Sequence, residues 1–232
     1  MRESIFEAIL AARSEKRSAV LITDISNGQQ CLVIDEHLSG DLKPDDELVK
    51  AAKEALTVGV SRLLEYSGVH FFLQIYAAPL RMVVIGGVHI AQALIPMAVL
   101  AGYHVVLVDP RQAFANPERF PNVEIKNEWT DKALEQLALD ARTAVVALTH
   151  DPKVDEPALA SALKSEAFYI GALGSTRTAA KRNERLIGLG FTVEELSRIH
   201  GPVGFAIGAK SHAEIAVSVM AQITAVLRNA TG

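Results

Sequence analysis

The sequence has almost no cysteine and no long apolar run, and each shortage excludes a class of protein. Its single cysteine, Cys31, cannot form a disulfide within the chain and excludes a zinc site built from paired cysteines. The longest apolar stretch, residues 93–101, is about half a membrane span and contains Pro96. The N-terminal run is charged and lacks the apolar core of a signal peptide. We therefore expect a soluble, cytoplasmic protein without a membrane segment.

The charges are also balanced, because 23 Lys and Arg face 27 Asp and Glu, for a formal net charge of −4. This balance argues against a nucleic-acid binder that works by neutralising phosphates. Half of the 232 residues are hydrophobic and 22% are charged, so the chain can bury a core and wholesale disorder is excluded. No Ser-His-Asp order, nucleophile elbow or metal-binding HxxxH motif is present, and no metal site is predicted.

The first 78 residues predict a small α+β domain. Asn27-Gly28 between two β-rich runs is typical of a hairpin, because both residues tolerate a positive φ. Pro44 and the acids after it mark the start of a helix. The predicted elements are a helix over 5–12, strands over 19–25 and 31–34, a helix over 45–66 and a strand over 70–76.

Residues 79–232 have a more regular pattern, in which short runs of Val, Ile and Leu alternate with amphipathic helices. Strands that are apolar on both faces and alternate with helices indicate a parallel sheet covered on both sides. The strands are predicted at 82–85, 105–108, 123–125, 144–148 and 168–170. The helices are predicted at 91–101, 130–139, 157–164, 176–189 and 213–227. The fold class is therefore α/β, a Rossmann-like parallel sheet domain preceded by the small α+β domain.

The turn after the first of these strands resembles the dinucleotide fingerprint G-x-G-x-x-G/A. Gly86 fills the first place and Ala91 the third, but Val88 stands in the second, where a side chain obstructs an approaching phosphate. Gly87 offers a way for the turn to shift. Asp109 ends the next strand 23 positions after Gly86, close to the spacing of roughly 20 for a ribose-binding acid. The turn predicts a bound dinucleotide or related phosphate ligand, or a nucleotide-type fold that has lost its ligand.

Two histidines are candidates for contact with a ligand or for catalysis. His150 and Asp151 directly follow a strand, which places them at the carboxyl edge of the sheet, where open α/β folds bind ligands. His89 and Asp109 are expected on the same edge. A histidine near a loop is otherwise a surface or hydrogen-bonding residue, and both interpretations of His150 and His89 stay open here.

A third run combines two glycines, a helix cap and cations: Gly171, Gly174, Ser175, Arg177, Lys181 and Arg182. The free amides at a helix start, together with cations, suit an anion. Cations also oppose the dipole at the start of a helix, and an anionic ligand supplies a reason for them. In the alternative interpretation the serine only caps the helix and the three cations form its solvated face.

A fourth run, residues 200–211, contains three glycines and one proline and is expected to be a tight loop. Ser211 and Glu214 predict a capping box at the start of the last helix. The loop either closes the same pocket or packs that helix onto the sheet, and composition does not choose between these. Cys31, alone in a strand, is more typical of a small core residue than of a reactive thiol.

Together these runs resemble the XdhC/CoxI family, accessory proteins of xanthine dehydrogenase and related molybdenum hydroxylases. The resemblance covers roughly residues 79–227 and rests on GGVHIAQ (86–92), THDPK (149–153), YIGALGS (169–175), GPVG (201–204) and IGA (207–209). It implies a Rossmann-type domain that delivers molybdenum cofactor, a role during sulfuration of that cofactor, and a homodimer that docks onto its target enzyme. No bond in the cofactor need break, so a maturation factor is expected rather than a catalyst.

The chain departs from the family pattern in two places. Residues 1–78 lack the Gly-Ser-x-Pro-Arg and Gly-Gly-Cys-Val motifs of the family's N-terminal domain. If that domain handles the cofactor sulfur, the chain either needs a separate partner that carries these motifs or does something else. Ala206 stands where the family commonly has an acid, which weakens any chemistry in that loop. Two alternatives therefore stay open. One is an NAD(P)-dependent oxidoreductase with His150 or His89 as proton donor, and the other is a non-catalytic subunit that binds a target protein.

Overall fold

The chain divides into two units, Met1–Pro79 and Leu80–Gly232, and each unit has its own sheet. This computed structural model describes residues 2–15 and 17–228. None of the helices in the described ranges is long and apolar enough to cross a membrane. The two units are described in turn.

The first unit is an antiparallel sheet of five strands in the order β3-β2-β1-β5-β4, with two helices. Along β1 the side chains alternate between faces, so that Leu21 packs with the first helix and Ile22 with the second. The elements are α1 (Glu3–Ser14), β1 (Ala19–Asp24), β2 (Gln30–Ile34), β3 (His37–Gly40), α2 (Asp46–Val58), β4 (Arg62–Tyr66) and β5 (Val69–Tyr76). Both faces of the central strand are therefore buried.

The predicted hairpin is present, and β1 pairs antiparallel with β2. Of the two turn residues only Gly28 has a positive φ, at 76°. Asp24 stabilises the turn, because its carboxylate accepts hydrogen bonds from the Ser26 amide and hydroxyl at 2.8 and 2.6 Å. Cys31 is buried in the core of this unit, and burial raises the pKa of its thiol. The interpretation of Cys31 as a core residue agrees with this position.

The prediction of one helix over 45–66 was wrong beyond its third turn. The helix begins after Asp45, whose side chain accepts from the Leu48 amide at 2.9 Å, and it ends at Gly59, which adopts a left-handed conformation. Residues Arg62–Tyr66 then form β4, which pairs with β5. A further strand, β3, was not predicted because it is short and exposed.

The second unit is a parallel sheet of six strands in the order β11-β10-β9-β6-β7-β8. Its strands are β6 (Leu80–Ile85), β7 (Tyr103–Val108), β8 (Glu124–Lys126), β9 (Thr143–Ala147), β10 (Tyr169–Ala172) and β11 (Ile199–His200). Its helices are α3 (His89–Leu100), α4 (Thr130–Leu137), α5 (Pro152–Leu163), α6 (Thr176–Gly188), α7 (Val193–Leu196) and α8 (His212–Leu227).

Numbered within the unit, this strand order is 3-2-1-4-5-6, the doubly wound Rossmann arrangement. The central strand β6 is fully buried from Met82 to Ile85. Met82 and Val84 face α3 and α8, whereas Val83 and Ile85 face α4, α5 and α6. The predicted α/β class, with a parallel sheet covered on both faces, is confirmed. The order of strands reverses between β6 and β9, and ligands of such folds bind at this switch point.

The start of α5 was predicted too late. Pro157 was interpreted as the first helical residue, but the helix begins at Pro152 and Asp151 caps it by accepting from the Lys153 amide at 3.0 Å. The short elements α7 and β11 were not predicted. The capping box of Ser211 and Glu214 at the start of α8 is present as predicted.

Candidate functional site

The loops that follow β6, β7, β9 and β10 lie side by side at the carboxyl edge of the second sheet, because these strands are parallel neighbours. Two contacts join the loop after β6 to the loops on either side of it. A Cβ atom on Gly86 would overlap the Thr149 methyl group, so the loops after β6 and β9 touch. The Gly87 amide donates to the Asp109 carboxylate at 3.0 Å, so the loops after β6 and β7 are bonded.

The glycine turn after β6 needs both of its glycines. Gly86 has a φ of 104°, a conformation that other residues rarely adopt, and its amide donates to the Val108 carbonyl at 2.9 Å. A Cβ on Gly87 would overlap the backbone of Phe114. Val88 follows with a φ of −88° as the N-cap of α3, and its side chain packs against the core. A β-branched residue is tolerated here because the left-handed conformation falls on Gly86 instead.

Asp109 stabilises the glycine turn through its buried carboxylate. The carboxylate is 0% exposed and accepts four hydrogen bonds: one from the Gly87 amide and three from the amide, Nε and Nη2 of Arg111, at 2.9–3.0 Å. Burial alone would raise the pKa of Asp109, but these bonds and the Arg111 charge outweigh it and lower the pKa below its usual value. A carboxylate offers about four acceptor positions, and all of them are filled.

Two arginines that sequence reasoning missed complete the turn. The Arg111 guanidinium lies over the Phe114 ring, 4.3 Å from its centroid, while it binds Asp109. Arg119 donates to the carbonyl oxygens of Gly87 at 2.7 Å and Phe114 at 2.5 Å. The segment from Arg111 to Arg119 is therefore fastened to the glycine turn. The contact between Arg111 and Asp109 had a signal in the sequence, because the arginine follows the acid by two positions in Asp109-Pro-Arg111.

The loop after β9 is organised by a second buried acid. Asp155, in the first turn of α5, accepts from the Thr149 amide and hydroxyl at 3.2 and 2.7 Å and from the His150 amide at 3.0 Å. Burial raises the pKa of Asp155. His150 is exposed and has a φ of 63°, which is rare for a residue with a side chain. The loop thus presents the imidazole to solvent in a conformation that Asp155 stabilises.

His89 lies at a different part of the edge from His150. It is the first residue of α3, and its exposed ring stacks on that of His212, the first residue of α8, with 5.3 Å between centroids. The starts of two helices are therefore adjacent at this point. The partner of His89 could not be predicted, because the two histidines are 123 positions apart in the sequence.

The loop after β10 contains the predicted anion-binding residues. A Cβ on Gly171, within the strand, would overlap Tyr169 and Val203, and Gly174 has a φ of 142°. Ser175 caps α6, with its hydroxyl accepting from the Thr178 amide at 3.2 Å. The side chains of Arg177 and Lys181 are exposed on the same helix.

Arg182 does not belong to the solvated face of α6, which corrects the alternative interpretation of this run. Only 5% of the Arg182 surface is accessible to solvent, whereas Arg177 and Lys181 are both exposed. Position along the helix explains the difference, because Ala179, Arg182 and Leu186 are the buried residues of α6 and recur at a helical spacing.

The fourth run is fastened to the sheet by Gln222 of α8. Its side-chain oxygen accepts from the Tyr169 hydroxyl at 2.6 Å and from the Gly204 amide at 2.9 Å. The Tyr169 ring also stacks on His200, with 4.7 Å between centroids, and burial lowers the pKa of this imidazole. Ala206 lies exposed further along the loop. Both interpretations of the loop are compatible with this packing, because it anchors α8 and also borders the edge.

Neither the described histidines nor the acids gather into a group of three that could hold a metal ion. The second unit also has an apolar cavity of about 440 Å³ between α3 and the segment before β8, with Pro96 and Phe120 among its lining residues. None of the predicted site residues lines this cavity. The polar groups of the candidate site are therefore confined to the loop edge.

Comparison with known proteins decides the family. The XdhC Rossmann domain family matches residues 82–223, well over half of the chain. The chain belongs to the XdhC family. The match spans every strand and loop of the candidate edge, from β6 to most of α8. The resemblance drawn from the sequence motifs is confirmed.

Three curated relatives of this XdhC-family chain are longer proteins. It is 32% identical over 163 residues to the uncharacterized protein YqeB of Escherichia coli, covering 69% of this chain and 30% of YqeB. It is 40% identical over 88 residues to the molybdenum cofactor insertion chaperone PaoD of Escherichia coli, covering 38% and 28%. A probable xanthine dehydrogenase subunit of Bacillus subtilis is 32% identical over 133 residues, covering 56% and 38%. The chain thus spans about a third of the length of these relatives.

A solved structure shares the fold. A xanthine dehydrogenase from Bacillus halodurans superposes with a TM-score of 0.69 over 99% of this chain and 64% of that one, at 22% sequence identity. Because nearly the whole XdhC-family chain is covered, the likeness extends over residues of both units.

Proposed function

We propose that this chain binds molybdenum cofactor and assists its insertion into a xanthine dehydrogenase-type molybdoenzyme. The observation that carries the proposal is how the edge uses its buried acids. Asp109 and Asp155 both stabilise loop backbone: Asp109 accepts a hydrogen bond from the Gly87 amide, and Asp155 accepts one from the His150 amide. Such an edge is suited to bind a ligand rather than to move protons in it. The relative PaoD, whose name is that of a molybdenum cofactor insertion chaperone, supports the same role.

In this proposal the ligand lies across the glycine turn at residues 86–91 and the loop at residues 171–181. The glycines let the backbone approach the ligand, and the start of α6 with Arg177 and Lys181 meets its phosphate. Asp109 lies near a ribose or pterin hydroxyl. Since all four acceptor positions of Asp109 are filled, such a hydroxyl has to replace a donor of Arg111.

We further propose that the chain acts in the cytoplasm as a homodimer that docks onto its target enzyme. Residues 1–78 lack the motifs that the resemblance implies for the N-terminal domain of the family. A separate partner protein that carries those motifs therefore completes the proposed machinery. The small antiparallel unit of this chain stands in the corresponding part of the sequence.

The second candidate function is an NAD(P)-dependent oxidoreductase. The strand order 3-2-1-4-5-6, with an acid at the end of the second strand, is the arrangement that binds dinucleotides, and it favours this candidate. His150 and His89 are its proton donors. Both imidazoles are exposed, and among the described residues no carboxylate accepts a hydrogen bond from either ring, as one commonly does with a catalytic histidine.

Delivery of the cofactor tests the first proposal. Isolated molybdenum cofactor is added, under anaerobic conditions, to a cofactor-free xanthine dehydrogenase-type enzyme, either alone or after incubation with this protein. We expect faster recovery of enzyme activity with the protein, and a smaller gain with a variant that carries both Arg177→Ala and Lys181→Ala. Lys132→Met, which removes an exposed cation from α4, serves as the matched control. Equal recovery with this protein and with serum albumin would contradict the proposal.

A further inference from the structure

Arg182 is a buried cation without a counterion. Its only hydrogen bond to the described residues runs from Nη1 to the Leu173 carbonyl, at a long 3.4 Å. Its Nε is buried and has no partner, and no described carboxylate lies within ion-pair distance. A guanidinium carries five N–H donors and stays charged in proteins, so most of its hydrogen-bonding capacity is unused. Burying a charge in this way is costly unless something pairs with it.

Two acids of α5, Asp155 and Glu156, do not form an ion pair with Arg182, because each already has other partners. Asp155 accepts three hydrogen bonds from Thr149 and His150. Glu156 is paired with Arg185, whose Nε and Nη2 lie 2.7 and 2.5 Å from one carboxylate oxygen. Both carboxylates lie close enough to act on the Arg182 charge, but neither accepts a hydrogen bond from it, so its remaining donors are left for a ligand.

An open cleft leads to this cation. It lies between the loop after β9 with the start of α5 and one side of α6. Its polar lining residues are the cations and hydrogen-bonding groups His150, Thr178, Arg182 and Arg185 and the engaged acids Asp155 and Glu156. Its volume of about 30 Å³ is far below the roughly 300 Å³ of pockets that enclose whole small molecules, so it has room for one small group and not for a ring system. Thr178 lies four positions before Arg182 and hence on the same face of the helix.

We infer that this cleft is a subsite for a tetrahedral oxyanion, such as a phosphate group, bound by Arg182. The guanidinium presents paired donors that match two oxygens of such a group, and Thr178 in the first turn of α6 lines the same cleft. The inference deepens the proposed function, since the phosphate of the cofactor is one source of the group. Inorganic phosphate from solution is the other, and the experiment separates the two.

The test compares the wild-type protein with Arg182→Met, which keeps an unbranched side chain but removes the charge and the donors. Affinity for inorganic phosphate is measured by calorimetry. We expect binding at least tenfold weaker in Arg182→Met, and within twofold of wild type in the control Lys132→Met. In the absence of ligand, Arg182→Met is expected to melt at the same temperature as wild type or higher, because it removes an unpaired buried charge. Arg182→Lys, which keeps only the charge, is expected to give an intermediate affinity.

The same variants are then titrated with isolated molybdenum cofactor. Loss of affinity for both ligands in Arg182→Met identifies the cofactor phosphate as the bound group. Loss for phosphate alone supports the subsite and assigns it to a free oxyanion. The inference is overturned if the wild-type protein binds no phosphate, or if Arg182→Met and Arg182→Lys both bind it as tightly as Lys132→Met does. Should the wild-type protein bind phosphate through Arg182 but not the cofactor, the subsite stands and the proposed function fails.

Discussion

Asp109→Asn tests whether the buried carboxylate holds the glycine turn. An asparagine keeps one acceptor oxygen and turns an NH₂ group toward two of the four donors that now converge on Asp109. Each hydrogen bond to a charged group contributes about 1.5–3 kcal/mol, but Arg111 is 35% exposed and water can replace part of the loss. We expect a destabilisation of about 3 kcal/mol, or a fall in Tm of about 6–12 °C.

The pH dependence of this effect follows from the lowered pKa of Asp109. Because the pKa in the folded protein lies below the ordinary aspartate value of 3.8, the carboxylate contributes its full stabilisation above that pH. The contribution is then lost as the pH falls through the folded-state pKa. The gap in Tm between wild type and Asp109→Asn should be constant from pH 6 to 8 and narrow below pH 3.8.

Thermal unfolding followed by circular dichroism measures both effects. Asp131→Asn is the matched control, because Asp131 is an exposed acid in the first turn of α4 and its replacement should cost less than about 1 kcal/mol. If Asp109→Asn and Asp131→Asn have the same Tm at pH 7, the carboxylate does not hold the turn and the reasoning is refuted.

Three further substitutions test other parts of the edge. Gly86→Ala should destabilise the protein by about 2–4 kcal/mol in urea unfolding, because Gly86 has a φ of 104° and the added Cβ overlaps the Thr149 methyl group. Adding Thr149→Ser removes that methyl group and should recover the steric part of the loss, and no recovery would contradict the contact. Tyr169→Phe removes one hydrogen bond to Gln222 and should cost about 1 kcal/mol in the same assay, and an unchanged midpoint would argue against this anchor. Arg177→Ala should weaken cofactor binding up to about fivefold at low salt and less at high salt, and an affinity independent of salt would remove the phosphate contact.

Burial on both faces explains why the second sheet could be predicted. The strands β6 and β9 read as continuous apolar runs because helices cover both sides of them. The helix over 45–66 was overextended for the opposite reason. The segment Arg62–Tyr66 forms an edge strand with a mostly exposed side, so its sequence carries no clear alternation, and only its pairing with β5 makes it a strand. Gly59 was the local signal for the end of the helix.

The position of the candidate edge followed from the strand pattern, but the partners within it did not. That Asp109 ends β7 could be read from the sequence, whereas its saturation by Arg111 and Gly87 depends on the folded loop. The alternative interpretation placed Arg182 on a solvated face of α6, as is usual for arginine, but the residue is buried. Its burial depends on the neighbouring loops, which close over one side of α6, and a single sequence does not show which side that is.

Calorimetric titration of the purified protein under anaerobic conditions tests the central claim most directly. The ligands are isolated molybdenum cofactor, NAD(H) and NADP(H). We predict micromolar binding of the molybdenum cofactor, corresponding to about −8 kcal/mol, and no binding of the nicotinamide nucleotides. Tight binding of NAD(H) or NADP(H) without binding of the molybdenum cofactor would contradict the proposed function and would favour the oxidoreductase instead.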